Sequence, residues 1–352
     1  MDPVPGYFAV HGQGLGHASR AIALVRGLQE KAPELEFLFL AGSPALDLLV
    51  ASGFDVMPLP PVPDWPAERG RLRPAWRWYV EYARYLRVAR RFLRKDADWS
   101  HYRFLISEGE LASVLEARRR GTPAALIVNS VRRDFARDGV SRLAERAANA
   151  WTARRLRKVD LLLTFEPAPA WPNARRTDPA VRPFSRSRDQ LRDDFFFRKK
   201  TILVTAGGTA IGEFLLDAAV RAFRELDLAD ASMVLVSGPK LKASPAPGVY
   251  TYGFIPNLHD MVLAADLVIT TAGRGTVSEA LAAGTPLIAI PPQGHAEQEA
   301  TARSLGFRHE DVGRMKELIL EGLAVERGEP RSSQGGTAIG MLLDFVRAEG
   351  KI

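Results

Sequence analysis

Three glycines and two histidines fall within seven residues, His11-Gly12-Gln13-Gly14-Leu15-Gly16-His17, directly after an apolar run at 6–10. From Ala18 onward Ala21, Leu24, Val25 and Leu28 recur at helical spacing, so the stretch reads as a strand, a tight turn and a helix N-terminus. Amide N–H groups and the positive end of the helix dipole point outward there, which suits an anion or a polar ligand. Glycines that merely let the chain turn would give the same spacing. The dinucleotide fingerprint G-x-G-x-x-G is not met, because the glycines stand at 12, 14 and 16. A second arrangement follows the apolar run 267–270: Gly273 and Gly275 open a helix carrying Ser278 and Glu279, and Gly284-Thr285-Pro286 stops it before another apolar run at 287–290. Backbone N–H groups freed by Gly273 and Gly275 can hold a diphosphate without a metal. Glu279, about one turn further in, has the chemistry to accept both hydroxyls of a ribose, or simply to complement the helix dipole.

Both arrangements need strands and helices to hold them, and the pattern supplies these. Short apolar runs at 6–10, 36–40, 104–107, 124–128 and 161–165 suit buried parallel strands, with helical patterns at 18–31, 43–52, 110–120 and 139–157. A second alternating unit starts at Lys200, with strands at 201–205, 232–237, 249–251, 267–270 and 287–290. Helices are expected there at 211–226, 258–264, 275–283 and 295–305, with a last one at 339–348. The expectation is an α/β chain of two Rossmann-like domains facing across a cleft, with ligands at the carboxyl ends of both sheets. The first domain is set at 1–180, a linker at 181–198 and the second domain at 199–335. A C-terminal helix at 336–352 is expected to pack back on the first domain.

Composition narrows the function classes. A chain of 352 residues with 46% hydrophobic and 25% charged residues is ordinary for a globular protein of two domains. No run of about 18 apolar residues exists, and residues 6–10 are too short a core for a signal peptide. The absence of cysteine excludes disulfides, thiolate metal sites and a cysteine nucleophile. The expected compartment is the cytoplasm. The net charge of +7 is uneven, since residues 1–198 hold 33 Lys and Arg against 23 Asp and Glu. An anionic partner is therefore expected to meet the first half.

Here the residues carry a resemblance. The segment TTAGRGTVSEALAAGTPLIAIP, followed by GHAEQEATA, resembles the nucleotide-sugar signature of GT-B glycosyltransferases. It is most similar to the branch containing the bacterial N-acetylglucosaminyltransferase that makes lipid II, and to its archaeal relatives. HGQGLGH resembles that branch's N-terminal glycine-histidine loop. Ala206-Gly207-Gly208-Thr209 stands where the branch keeps its G-G-S/T loop, and Tyr252-Gly253-Phe254-Ile255-Pro256-Asn257 matches the segment that reads the uracil ring. The likeness runs in order along nearly the whole chain, apart from about residues 60–100 and 167–198. It implies that Phe254 and the main chain of Ile255 meet the base and that Glu279 holds the ribose. Gly207, Gly208, Thr209, Gly273, Arg274, Gly275 and Thr276 would hold the diphosphate. His295, Glu297 and Gln298 would meet the donor sugar; Glu297 stands where the branch has an amide and Thr301 where it has an asparagine, which leaves the donor sugar open. Gly14 and Gly16 would let donor and acceptor approach the first loop.

The resemblance further implies an inverting transfer from a UDP-sugar, N-acetylglucosamine in the branch's type case, to a hydroxyl of a lipid-linked or other glycan. His17 matches the position of the general base, ahead of His11. Glu108, in Ser107-Glu108-Gly109-Glu110, is the candidate acceptor contact or orienter of that histidine. The one Asp-x-Asp, Asp96-Ala97-Asp98, lies in the basic segment outside the likeness, so no metal and no cofactor beyond the donor substrate is expected. Retaining members keep a Glu eight positions before the ribose acid, where this chain has Thr271. UDP-sugar 2-epimerases share the fold but open on a different loop, and a GT-B shell that only binds nucleotide-sugar is the remaining alternative. One segment stands outside the likeness. Between 69 and 95 ten basic residues and a single acid, Glu81, interleave with six aromatics, and Trp76, Tyr79, Ala83, Leu86 and Arg90 share helical spacing. Within the basic region 65–100, such a helix suits an anionic membrane surface, with peripheral placement on its inner face. Nucleic acid is not the expected partner, and a solvated helix packing its aromatics on the first domain would give the same pattern.

Overall fold

Parallel strands need long crossovers, and the alternation of short apolar runs with helical periods supplies them at every step. The computed structural model describes residues 3–68, 70–72, 76–207, 210–238, 247–331 and 335–349. Two compact units divide the chain. One comprises Met1–Trp65, Pro74–Ala180 and Gln334–Ile352; the other comprises Pro66–Arg73 and Val181–Ser333.

In the first unit, β1 (Val4–Val10) is buried along its whole length and leads through the glycine loop into α1 (Gly16–Lys31). Then come β2 (Leu35–Ala41), α2 (Ala45–Ala51) and β3 (Val56–Pro58). The hairpin β4 (Ala67–Glu68) and β5 (Arg71–Leu72) belongs to the second unit. The first unit resumes with α3 (Trp76–Asp96), β6 (Phe104–Glu108), α4 (Leu111–Arg120), β7 (Ala124–Val128), α5 (Gly139–Leu156), β8 (Leu161–Thr164) and β9 (Ala174–Arg176). Its seven strands are all parallel, in the order β3-β2-β1-β6-β7-β8-β9.

The second unit adds α6 (Arg188–Asp194), β10 (Lys200–Thr205), α7 (Glu213–Leu226), β11 (Ala231–Val236), β12 (Val249–Tyr252) and α8 (Leu258–Ala264). It continues through β13 (Leu267–Thr270), α9 (Arg274–Ala283), β14 (Leu287–Ala289), α10 (Ala296–Ser304) and α11 (Met315–Ala324). Its five parallel strands run β12-β11-β10-β13-β14. The final helix, α12 (Gly336–Glu349), returns to the first unit, where Ile339 lies against Gly27 of α1.

Strand order decides where ligands can go. In each sheet the winding reverses next to the first strand, between β1 and β6 and between β10 and β13. Loops leaving the carboxyl ends of such a strand pair run to opposite faces and open a crevice. The glycine loop 11–16 leaves β1, and Gly207 and Gly273 follow β10 and β13, so each glycine turn sits at a switch point.

One open question of the sequence is decided and two expectations are corrected. The helical spacing of Trp76, Tyr79, Ala83, Leu86 and Arg90 left the buried face of α3 open: Trp78, Tyr82, Tyr85, Leu86, Ala89 and Leu93 are buried, while Trp76 is exposed. Two helical stripes were available, and aromatic stacking chose between them, with Trp65 stacked on Trp78 at 3.7 Å between centroids and Trp78 on Tyr82 at 5.1 Å. Residues 181–198, expected as a linker, are built into the second unit: α6 carries a capping box from Ser187 and Gln190, and Leu191 and Phe197 enter its core. The expected run of helices also omitted α11, whose Met315, Leu318 and Ile319 pack beneath the second sheet.

Candidate active site

The end of β1 and the end of β6 are neighbours, with Val10 opposite Glu108. The ladder continues one step beyond, where the His11 amide donates to the Glu108 carbonyl at 2.9 Å. Gly14 then adopts φ +82, and α1 starts without a side-chain cap, leaving its first amides to other partners. His17 sits in the first turn of α1, one quarter exposed, with Nδ1 2.9 Å from Oε1 of the fully buried Glu108. Arg20, one turn later, reaches the same Oε1 through Nε at 3.1 Å and through Nη2. Burial pushes the Glu108 carboxyl up, but Arg20 and His17 beside it outweigh this and hold it below its ordinary value. Glu108 is therefore ionised at neutral pH, and a carboxylate can only accept. His17 must then donate from Nδ1, which leaves the lone pair of Nε2 available for a proton.

His11 is arranged differently. Its Nδ1 accepts the Gln13 amide at 3.1 Å, so its usable lone pair is already taken. Desolvation first, then the neighbouring His17 and Arg133, hold its pKa well below the ordinary histidine range. Gly109 keeps the space between them: its φ is +75, and a Cβ there would come within 3.2 Å of His17 Cε1 and 3.3 Å of His11 Cβ. Beyond it, Glu110 caps α4 through the Ala112 amide at 2.8 Å and accepts Tyr85 Oη at 2.6 Å. Burial nevertheless raises the Glu110 pKa to about 7.

In the second unit the candidate residues collect on the carboxyl edge of the sheet. Thr205, Thr270 and Ala289 lie side by side in adjacent strands, so the loops after β10, β13 and β14 emerge together. Gly207 takes φ +76, with the Thr271 hydroxyl 4.0 Å from where its Cβ would stand. Gly208 and Thr209 lie outside the described residues. After β13, Ala272 is held at φ +62 and Gly273 is the N-cap of α9, with no side-chain cap to its first turn of Arg274, Gly275 and Thr276. Those amides are the anion-ready groups that the glycine spacing announced. Glu279 lies one turn in and is 5% exposed, with Arg182 Nη2 3.6 Å away. Arg182 Nη1 also donates to the Pro256 carbonyl at 2.6 Å, which ties the segment holding Phe254 and Ile255 to the acid on α9. His295 caps α10, where its Nδ1 accepts the Gln298 amide at 3.4 Å, and burial lowers its pKa. Oε1 of Gln298 is buried with no hydrogen-bond partner, a spare acceptor on this edge. The Glu297 carbonyl accepts from Thr301 Oγ1 at 3.1 Å.

Residues 201–315 match the glycosyltransferase family 28 C-terminal domain. The chain is 28% identical over 329 residues to an uncharacterized glycosyltransferase of Methanosarcina acetivorans, covering 87% of this chain and 81% of the relative. It is also 28% identical to the UDP-N-acetylglucosamine–N-acetylmuramyl-(pentapeptide) pyrophosphoryl-undecaprenol N-acetylglucosamine transferase of a Nocardioides species, covering 82% and 78% of the two chains. The crystal structure of MurG from Acinetobacter baumannii superposes with a TM-score of 0.55 at 17% identity, over 97% of this chain and all of that one. The chain is a GT-B glycosyltransferase.

In this glycosyltransferase the first-unit candidates His17, Glu108, Gly14 and Gly16 cluster at one switch point. The described second-unit candidates share the carboxyl edge of the other sheet. Two arginines of these clusters escaped the sequence reading. Arg20 is a charged residue on the buried face of α1, and that mismatch between charge and face was its available signal. Arg182 stood in the stretch read as linker, where no periodicity marks a buried side chain. The transferase also braces its Gln293 loop with the hairpin β4–β5, since Arg71 donates to the Gln293 amide oxygen at 2.8 and 2.6 Å.

Proposed function

We propose that the protein is an inverting, metal-independent transferase that moves a sugar, with N-acetylglucosamine the first candidate, from UDP to a hydroxyl of a lipid-linked or other glycan acceptor. The observation that carries this reading is the His17–Glu108 pair, a histidine oriented through Nδ1 with Nε2 available. His17 Nε2 takes the acceptor proton while the acceptor oxygen attacks the anomeric carbon. The bond from that carbon to the diphosphate breaks, its electron pair leaves with UDP, and the configuration inverts. Uncapped amides at the start of α9, with the helix dipole behind them, stabilise the charge on the departing diphosphate. Glu279 accepts the ribose hydroxyls, Phe254 and Ile255 meet the base, and Gln298 with Glu297 and His295 meets the sugar. The named donor of the Nocardioides relative supports UDP-N-acetylglucosamine as the first donor to try.

The reading extends to an anionic membrane surface and a cytoplasmic, peripheral placement. With Trp78, Tyr82 and Tyr85 in the core, the outer face of α3 carries Trp76, Val80 and Val88 among the exposed Arg77, Arg84, Arg87 and Arg91, with the acid Glu81 exposed beside them. Apolar side chains set among arginines suit an acidic bilayer interface. Among the described residues no helix is long and apolar enough to cross a membrane. The deciding experiment for the transferase reading is a thermal-shift panel of UDP-, GDP- and TDP-sugars, followed by UDP release with and without glycan acceptors. A true donor raises the melting temperature by mass action. No shift with any UDP-sugar would overturn the donor assignment.

A further inference from the structure

Arg20 is buried, and its guanidinium makes contacts out of proportion to a structural role. Nε and Nη2 both reach Oε1 of Glu108, the same oxygen that His17 Nδ1 approaches, and Nη2 also lies 3.2 Å from His17 Nδ1. The guanidinium sits 4.9 Å over the Phe165 ring, which fixes its plane. The other carboxylate oxygen, Oε2, is buried without a hydrogen-bond partner, so arginine and histidine share one acceptor atom while a second goes unused. Packing alone does not require that convergence.

We propose that Arg20 is a positioning residue of this site: by occupying the oxygen that His17 addresses, it makes Glu108 an orienter of the imidazole rather than a trap for its proton. A buried carboxylate alone beside a histidine favours the imidazolium, and a histidine already protonated cannot act as a base. The guanidinium cancels that field while leaving the Nδ1–H contact in place. His17 is thus aimed by Glu108 through an oxygen that Arg20 also occupies. This inference rests on the reading of His17 as the base, but it can fail independently of it.

Three other charged or titratable groups come from the elements beside the pair. From the β1 loop comes His11, held neutral with Nδ1 on the Gln13 amide. From the loop after β7 comes Arg133, whose charge acts on His11. At the cap of α4, Glu110 is taken up by Tyr85 and the Ala112 amide. None of these shares Oε1 of Glu108.

The test is a pH titration of the imidazole ¹⁵N shifts in the full chain, with His17 assigned through a His17→Gln control. In Arg20→Met the His17–Glu108 pair should take up its proton at a pH higher by about 1–3 units than in wild type, the usual effect of one close charge. The His17 shifts report this whichever partner holds the proton, as imidazolium or as a switch of tautomer. Arg20→Lys keeps the charge but loses the fork, so it should move the midpoint the same way by less. Should Arg20→Met fail to fold, Arg20→Lys and the Arg20→Met/Glu108→Gln double variant decide. The double variant, lacking both charges, should titrate within about 0.5 unit of wild type, since the two fields cancel. A folded Arg20→Met with an unchanged or lowered midpoint would overturn the proposal. So would an unchanged Arg20→Lys together with a shifted double variant. Loss of turnover in His17→Ala tests the base itself, and its outcome does not alter these midpoints.

Discussion

Replacing Glu279 by alanine tests the donor half most directly. The carboxylate is 5% exposed on α9, one turn from the uncapped amides, and faces Arg182 at 3.6 Å. Hydrogen bonds to a charged group contribute about 1.5–3 kcal/mol. Converted at about 1.4 kcal/mol per decade, UDP affinity should fall about 10- to 150-fold. Fold stability should fall as well, by about 1–3 kcal/mol, because a buried arginine loses an acid. The loss stays below that of a broken close ion pair, since Arg182 keeps the Pro256 carbonyl. Isothermal titration with UDP and with 2′-deoxy-UDP separates the two effects. Wild type should prefer UDP over its deoxy analogue, and Glu279→Ala should bind both alike, at its lowered affinity. A mutant that keeps the wild-type preference for the ribose would show that Glu279 does not touch it, whatever happens to stability.

Three further outcomes are expected. His17→Ala should lower turnover about 10²- to 10⁴-fold with UDP affinity nearly unchanged, as for loss of a general base; if His11→Ala does this instead, the assignment of the base moves. Glu110, with a folded pKa of about 7 against 4.5 unfolded, is neutral in the fold across that window and ionised in the unfolded chain. The folded state therefore holds the extra proton, and stability should fall from pH about 4.5 to pH about 7 by about 2–3 kcal/mol, a slope that urea melts of Glu110→Gln should lack. Vesicles rich in acidic lipid should sediment the protein at low salt and release it at high salt, while Arg77, Arg84, Arg87 and Arg91 changed together to Gln should abolish binding and spare UDP affinity; equal binding by the variant would remove the membrane role of α3.

What was legible in the sequence was local. A strand, a glycine turn and a helix start are written within about fifteen consecutive residues, so β1 with the loop 11–16, and β13 with Gly273 and α9, could be read directly. The succession of such units determined two parallel α/β sheets, because each crossover can return its strand in only one sense. Tertiary structure alone decided which distant groups meet. Glu108 is 91 residues from His17 and comes to it only because β6 inserts beside β1. Arg182 joins Pro256 to Glu279 from a stretch without periodicity, since one buried arginine leaves no repeat to detect. On α3 both helical stripes were rich in aromatics, and only the stacking of Trp65 on Trp78 selected the buried one. Local conformation follows from neighbours in the chain, which the sequence states. Pairing of charges and choice of buried face follow from desolvation against partners far along the chain, which only the folded molecule brings within reach.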